Sequence, residues 1–548
     1  MNPSEISAPG SHLVADWQAL MRTFIHPEND ATRKILVKYM EQILFGLHTF
    51  LADHVGITEE VSLKKLAQRF TDTRINDQPE KKLADVITDL IENIAPHAVN
   101  VASPYFVGHM TAAIPFFMVH LKTIAAALNQ NTVKLETSKV VSIIEKQVLA
   151  KIHRLIFNRR SSFYDHHVQH VETTLGSFVE DGTLANITAL WVARNRLLGP
   201  RPGFAGVEND GLPAAFAAWG VKRCVVLVSR LGHYSLKKAG GLLGIGNRNV
   251  IPVDVDEHNR IDLSALQRKM DELGKSTAGT RILGVVGIAG TTETGSIDAL
   301  PALATICRDR QIHFHVDAAW GGPTLMSERY RRLLDGIGLA DSVSIDGHKQ
   351  LYMPMSCGMV FFKDPLAMDV VAYHAGYINR PGSVDLGIKS LSGSREANSL
   401  ILDSALKIMG LKGYALLIDH GIETARQFAR EIKRRPLFEL VTAPELNILT
   451  YRINPETDAP HKSAPSVHRR RSALERLNSI NTTVQRLQRE RGKSFVSRTT
   501  LYPSTAQGTG MVVLRCVIMN PLTTIGILKS ILDEQTTIYR NAFSASES

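Results

Sequence analysis

The stretch HFHVDAAWGGPTLMSERYRRLLDGIGLADSVSIDGHK, residues His313–Lys349, decides the fold. It contains two short apolar, β-rich runs, HFHVDAAW and DSVSIDGHK. Asp317 closes the first, and Lys349 directly follows His348 at the end of the second. Strands of an open α/β sheet gather ligands at their carboxyl ends, so sheet geometry brings an acid and an amine so placed to one edge.

Upstream, VKRCVVLVS, NVIPVDVD and RILGVVGIA alternate with the helical patterns SLKKAGGLLGIG and LSALQRKMDEL, and CGMVFFK continues the strand series after Lys349. That alternation builds a mostly parallel sheet with helices on both faces. The chain before it is helical, with apolar residues three and four apart in KILVKYMEQILFGLHTFLADH and KKLADVITDLIENIA. A loop rich in Gly and polar residues runs from His374 to Ser394. Beyond it come a long helical pattern, LNILTYRI, a basic helix, MVVLRCVIM and a closing helix. The predicted organisation is a helical segment over 1–158, an α/β domain over 159–394 and a small α+β domain over 395–548.

A lysine at a strand's carboxyl end, among protein dipoles, can lose its proton and attack a carbonyl carbon. An aspartate beside it can keep the ring nitrogen of pyridoxal 5'-phosphate (PLP) protonated, so that the ring withdraws electrons from a substrate's Cα. Ala319 leaves room for a flat ring. His233, at a helix start after a strand, can stack on the other ring face. Gly182 and Thr183 open a helix in EDGTLANITALWVARN, where backbone N–H groups suit a phosphate. Thr291, in AGTTETGSID, can reach the ring hydroxyl or help to position Asp317. Singly, each has a plainer explanation: surface polarity for His348–Lys349, a helix cap or structural acid for Asp317, a capping histidine for His233, and a common helix start for Gly-Thr. Their joint order along one sheet is what a single PLP site requires.

These residues resemble the group II PLP-dependent amino acid decarboxylases, the glutamate, aromatic amino acid and cysteine sulfinate decarboxylases. The likeness runs from about Ser103 to the C-terminus and includes SPYFVGHM, ALNQN, HVDAAWGG, DGHK and LRCVIMNPLTT. It implies the aspartate aminotransferase-like architecture of PLP fold type I and a homodimer. Because of YINRPGSVDLG and SLSGSRE, the chain looks most like the bacterial pyridoxal-dependent aspartate 1-decarboxylases, which make β-alanine for pantothenate synthesis. The implied substrate is a small acidic amino acid, with glutamate or cysteine sulfinate as the alternative to aspartate.

Carried over by position, the resemblance implies that Lys349 holds the cofactor as an imine, Asp317 pairs with its ring nitrogen and His233 stacks. Gly182, Thr183, Ser344 and His348 surround the phosphate, Arg395 grips the substrate's α-carboxylate, and His109 lines the substrate pocket. The chain departs from the pattern in two places. The position of the family's loop tyrosine, a proton donor, falls on Val384, which leaves Tyr377 or His233 for that role. The usual S-G-G of the phosphate loop is Glu180, Asp181 and Gly182 here.

The 548 residues are 44% hydrophobic and 21% charged, the balance of a folded protein with a sizeable core. Four scattered cysteines suggest neither a disulfide framework nor a metal cluster. The N-terminal residues lack a basic start followed by an apolar run, which points to the cytoplasm, and no stretch has the length of a membrane span. Much of the basic excess behind the net charge of +10 sits between His468 and Arg498. With Leu474, Leu477, Val484 and Leu487 at helical spacing and few aromatics to stack bases, that segment is expected to be an amphipathic surface helix. Nucleic-acid binding, by a PLP fold that has lost catalysis, is the alternative from another class.

Overall fold

A computed structural model describes residues 30–52, 55, 63–276, 279–375, 383–455, 467–502 and 510–543. Its centre is a seven-stranded sheet in the order β1-β7-β6-β5-β4-β2-β3. The strands are β1 (Gly176–Val179), β2 (Arg223–Ser229), β3 (Val250–Val253), β4 (Thr280–Ile288), β5 (His313–Asp317), β6 (Ser342–Asp346) and β7 (Gly358–Phe362). Strands β6, β5, β4, β2 and β3 run parallel, and β7 is antiparallel to both its neighbours. The expected mostly parallel α/β sheet is therefore present.

Residues alternate between two cores, as side chains of a sheet covered on both faces must. On β2, Val225 and Leu227 face one core, shared with helix α1 (Val140–Phe157), while Cys224, Val226 and Val228 face the other, shared with helix α2 (Gly182–Leu197). The same alternation puts Phe314 and Val316 of β5, and Val343 and Ile345 of β6, on the α1 side. The intervening His313, His315 and Asp317, and Ser342, Ser344 and Asp346, consequently point toward α2.

A second sheet has the antiparallel order β10-β11-β9-β8, made of β8 (Phe438–Thr442), β9 (Ile448–Ile453), β10 (Ser497–Leu501) and β11 (Met511–Val517). The long helix α3 (Asn398–Lys433) joins the two units. Its first half buries Ile401, Leu402 and Tyr414 in the large core, and its second half buries Phe428 and Ile432 in the small one. Helices α4 (Val467–Arg491) and α5 (Ile525–Phe543) complete the smaller unit. On α4, Leu477, Ile480 and Val484 are buried while Arg476, Arg486 and Arg489 are exposed, the amphipathic pattern expected of the basic segment. Among the described residues no helix is long and apolar enough to cross a membrane. The four cysteines are buried and free.

Candidate active site

At the carboxyl ends of β4, β5 and β6 lies a cavity of about 260 Å³, bordered by Gly182, Thr183, His233, Asp317, Ala319, His348, Lys349 and, from the small domain, Arg515. Lys349 sits in the turn that leaves β6, its Nζ 2.9 Å from Oδ2 of Asp346. His348 is fixed beside it by the backbone of Cys357, with Nδ1 2.8 Å from the carbonyl oxygen and 3.2 Å from the amide nitrogen. Asp317 is 7% exposed. One of its oxygens accepts the Ala319 N–H at 3.1 Å and the other accepts Nδ2 of Asn186 at 2.9 Å.

Across the cavity, α2 begins at Gly182. The Asp181 carboxylate caps it by accepting the Leu184 N–H at 3.0 Å. The first N–H groups of a helix have no partner within it, so the Gly182 and Thr183 amides are available to an anion. A Cβ on Gly182 would lie 2.9 Å from Oδ2 of Asp346 and 3.3 Å from Cβ of Ala319, so only glycine lets the helix start come this close. His233 follows β2, with Nδ1 2.9 Å from the Ser235 hydroxyl. Burial, reinforced by the Lys349 ammonium, lowers its pKa against the pull of Asp317 and leaves the imidazole neutral.

This donor set fits PLP: an amine at one strand end, a buried carboxylate at the next, a helix start with free amides, a short Ala319 floor and an imidazole opposite. Lys349 would carry the cofactor, Asp317 would face its ring nitrogen, and Gly182, Thr183 and His348 would meet the phosphate.

Three expectations need correction. Arg395 does not border the cavity. Its guanidinium is buried in an ion pair with Glu145 of α1 and donates to the Phe178 carbonyl at 2.6 Å. Ser344 is fully buried beneath Asp317, bonded at 2.9 Å to Oδ1 of Asn186, because it lies in the middle of β6, two residues short of the end where Asp346 reaches the cavity. The Thr291 hydroxyl is held inside its own loop by Thr294 at 2.7 Å and the Ser296 N–H at 3.1 Å, and Thr292 borders the cavity in its place. Val384 lies elsewhere, in a cleft with Glu145 and Lys389. Tyr377 is outside the described residues.

The cationic group that does reach the cavity is Arg515, on β11. Its Nε is buried without a hydrogen-bond partner, as is Oε2 of Glu293 on the neighbouring loop. Burial raises the Glu293 pKa, and the nearby Arg515 charge opposes that rise. The segment before His109 is stitched to the end of β11: Val107 accepts the Val517 N–H at 2.7 Å and donates to the Phe495 carbonyl at 3.0 Å. A Cβ on Gly108 would fall 2.5 Å from the Ser497 backbone nitrogen, so glycine permits that contact. It delivers His109 to the cavity rim, where burial and the Arg515 and Lys349 charges keep its pKa low.

The chain is 45% identical over 525 residues to the aspartate 1-decarboxylase of Aliivibrio fischeri, spanning 96% of this chain and 95% of that protein. It is 29% identical over 394 residues to an acidic amino acid decarboxylase of Xenopus tropicalis, spanning 71% of each. Its fold matches the crystal structure of Catharanthus roseus tryptophan decarboxylase in complex with L-tryptophan, with a TM-score of 0.76 at 20% identity, over 94% of this chain and 100% of that one. The pyridoxal-dependent decarboxylase conserved domain matches residues 65–454, and the chain belongs to that family of PLP enzymes.

Proposed function

We propose that this enzyme removes the α-carboxyl group of L-aspartate, releasing CO₂ and β-alanine. The observation that carries amino acid binding at this site is Arg515, which lines the cavity that Lys349 and Asp317 share and has no hydrogen-bond partner for its Nε. Near-full-length similarity to an aspartate 1-decarboxylase supports the same substrate. Bound PLP supplies the electron sink for the breaking Cα–carboxylate bond.

The chain's own residues do the rest. Arg515 grips the substrate's α-carboxylate through its planar fork and so fixes the orientation of the amino acid in the cavity. His109, neutral and at the rim, donates a hydrogen bond to the distal carboxylate. Asp317 holds the proton on the ring nitrogen. Tyr377 returns a proton to Cα, with His233 as the alternative donor.

Supplying purified enzyme with aspartate, glutamate or cysteine sulfinate and measuring CO₂ and amine product tests the reading. Aspartate is expected to turn over fastest, with β-alanine in equal amount. Faster release from glutamate or cysteine sulfinate would shift the assignment to that substrate, and keto-acid formation without CO₂ would make the enzyme a transaminase.

We further propose a cytoplasmic homodimer supplying β-alanine for pantothenate synthesis. A second copy is favoured by large apolar side chains left exposed on helices that pack together: Phe116 on the helix Phe116–Leu128, Val140 on α1, and Ile408, Leu411 and Leu416 on α3. Light scattering on Leu416→Glu/Phe116→Asp protein should show a monomer where the unaltered chain shows a dimer.

A further inference from the structure

Beneath the cavity, the α2-facing side of β5 and β6 is polar from end to end, although it is sealed between sheet and helix. His315 and Ser342 are fully buried, Asn186 is 1% exposed and the His313 imidazole is covered. The register pairs His315 with Ser342 and Asp317 with Ser344. A continuous series of hydrogen bonds follows. Nε2 of His313 is 2.8 Å from the Ser342 hydroxyl, which is 2.9 Å from Nδ1 of His315. Nε2 of His315 is 3.0 Å from Oδ1 of Asn186, whose Nδ2 is 2.9 Å from Asp317.

The direction of every proton in this series follows from its last member. A carboxylate only accepts, so Asn186 must present its NH₂ to Asp317 and its oxygen to His315. That oxygen also takes the Ser344 hydroxyl proton at 2.9 Å. Facing an acceptor, Nε2 of His315 must carry a hydrogen. Burial holds both histidines neutral, pushing each down to about 4. Nδ1 of His315 lies 2.9 Å from the Ser342 hydroxyl and 3.2 Å from the Ser342 carbonyl oxygen; with the ring's one hydrogen on Nε2, Nδ1 is bare and accepts from the nearer hydroxyl. Ser342 in turn accepts from Nε2–H of His313. All the donors therefore point the same way, toward Asp317, and hydrogen bonds aligned in a chain polarise one another.

We infer that His315 and Asn186 are positioning residues which, through a one-way chain of donors starting at His313, hold the Asp317 carboxylate oriented toward the cofactor's ring nitrogen. Flipping Asn186 alone would set its oxygen against the carboxylate and its NH₂ against His315, undoing two bonds at once.

Histidine-selective ¹⁵N NMR of the holoenzyme tests this, with the His315 signals identified by their loss in His315→Gln. A bare Nδ1 and a protonated Nε2 are expected. The opposite tautomer, or a charged ring near neutral pH, overturns the inference. With ¹⁵N-labelled PLP, His315→Phe should move the ring-nitrogen signal toward the unprotonated form and lower kcat roughly tenfold at nearly constant KM. His315→Gln, which keeps a donor and an acceptor, should restore most of both. A folded, cofactor-loaded His315→Phe protein with an unchanged ring-nitrogen signal also overturns it. If that variant does not fold, the tautomer in the unaltered enzyme still decides. Both NMR signals are read without substrate, so they stand even if the enzyme's amino acid is not aspartate.

Discussion

The Lys349 ammonium lies 2.9 Å from Asp346, three positions earlier in the chain, and the side chain of that acid is only 3% exposed. Oδ1 of Asp346 has no hydrogen-bond partner, so the lysine is the main compensation for a buried negative charge. Lys349→Ala is expected to abolish turnover and the visible absorbance of bound PLP. It should also destabilise the cofactor-free protein by about 1–3 kcal/mol, the cost of an unpaired buried polar group. Adding Asp346→Asn should recover much of that stability without restoring activity. Retained absorbance or turnover in Lys349→Ala protein would overturn the assignment.

The two arginines separate by what they lose. Arg515→Ala should lower kcat/KM roughly a hundredfold, as the loss of a charge-assisted hydrogen bond to substrate does, with little change in Tm. Arg515→Lys should recover only part of it, because an ammonium lacks the planar fork. Arg395→Ala, by stranding Glu145 in the core, should cost about 3–5 kcal/mol of stability. Thermal melts beside steady-state kinetics for the three variants check this. A folded, stable Arg395→Ala enzyme with specifically lost substrate affinity would return the substrate role to that residue.

The difference between those arginines shows what was legible in the sequence. Asp317, Lys349, His233 and Gly182 lie where strands end or helices start, and local patterning marks such ends. The polar stripe His313, His315, Asp317 is equally visible as period-two alternation in HFHVD. Arg515 belongs to a strand of the smaller sheet, and only three-dimensional packing brings it to the end of the larger one. Its signal was one arginine inside the apolar run MVVLRCVIM. Glu145, an acid amid the apolar residues of VVSIIEKQVLAKI, was the corresponding sign that a buried cation would be needed on α1. Thr291 and Thr292 are adjacent, and which of them faces the cavity depends on the hydrogen bonds of the turn, which spacing does not report.

Gly182→Ala tests how closely the helix start must approach. Its methyl group would press on Asp346 and Ala319, and overpacking of this kind costs about 1–3 kcal/mol. Since the displaced acid contacts Lys349, the cost should appear as weaker cofactor retention, with a PLP dissociation constant raised roughly tenfold. Absorbance titration of the cofactor-free variant measures it, and affinity equal to that of the unaltered enzyme would show that the cavity yields at this point.

His153 offers a pH dependence remote from the site. Its ring is fully buried on α1, with Nε2 3.1 Å from the Phe362 carbonyl and Nδ1 3.0 Å from the Tyr164 hydroxyl. Burial pushes its pKa down to about 4 from an ordinary 6.5. Between those values the unfolded chain binds a proton at this residue that the folded chain does not. The stability it contributes is therefore complete above pH 6.5 and is lost as the pH falls toward 4, for a total of about 3 kcal/mol. Asp298, pushed up to about 7 by burial, works in the opposite direction, since it is neutral when folded and favours the native state as the pH falls from 7 toward 4. Replacing His153 with Gln leaves Asp298 untouched. Urea midpoints measured from pH 4 to 7.5 should then fall less steeply below pH 6.5 in His153→Gln than in the unaltered protein, by about 1.4 kcal/mol per pH unit at the steepest point. Parallel profiles for the two proteins would mean that the imidazole titrates alike in the folded and unfolded chains.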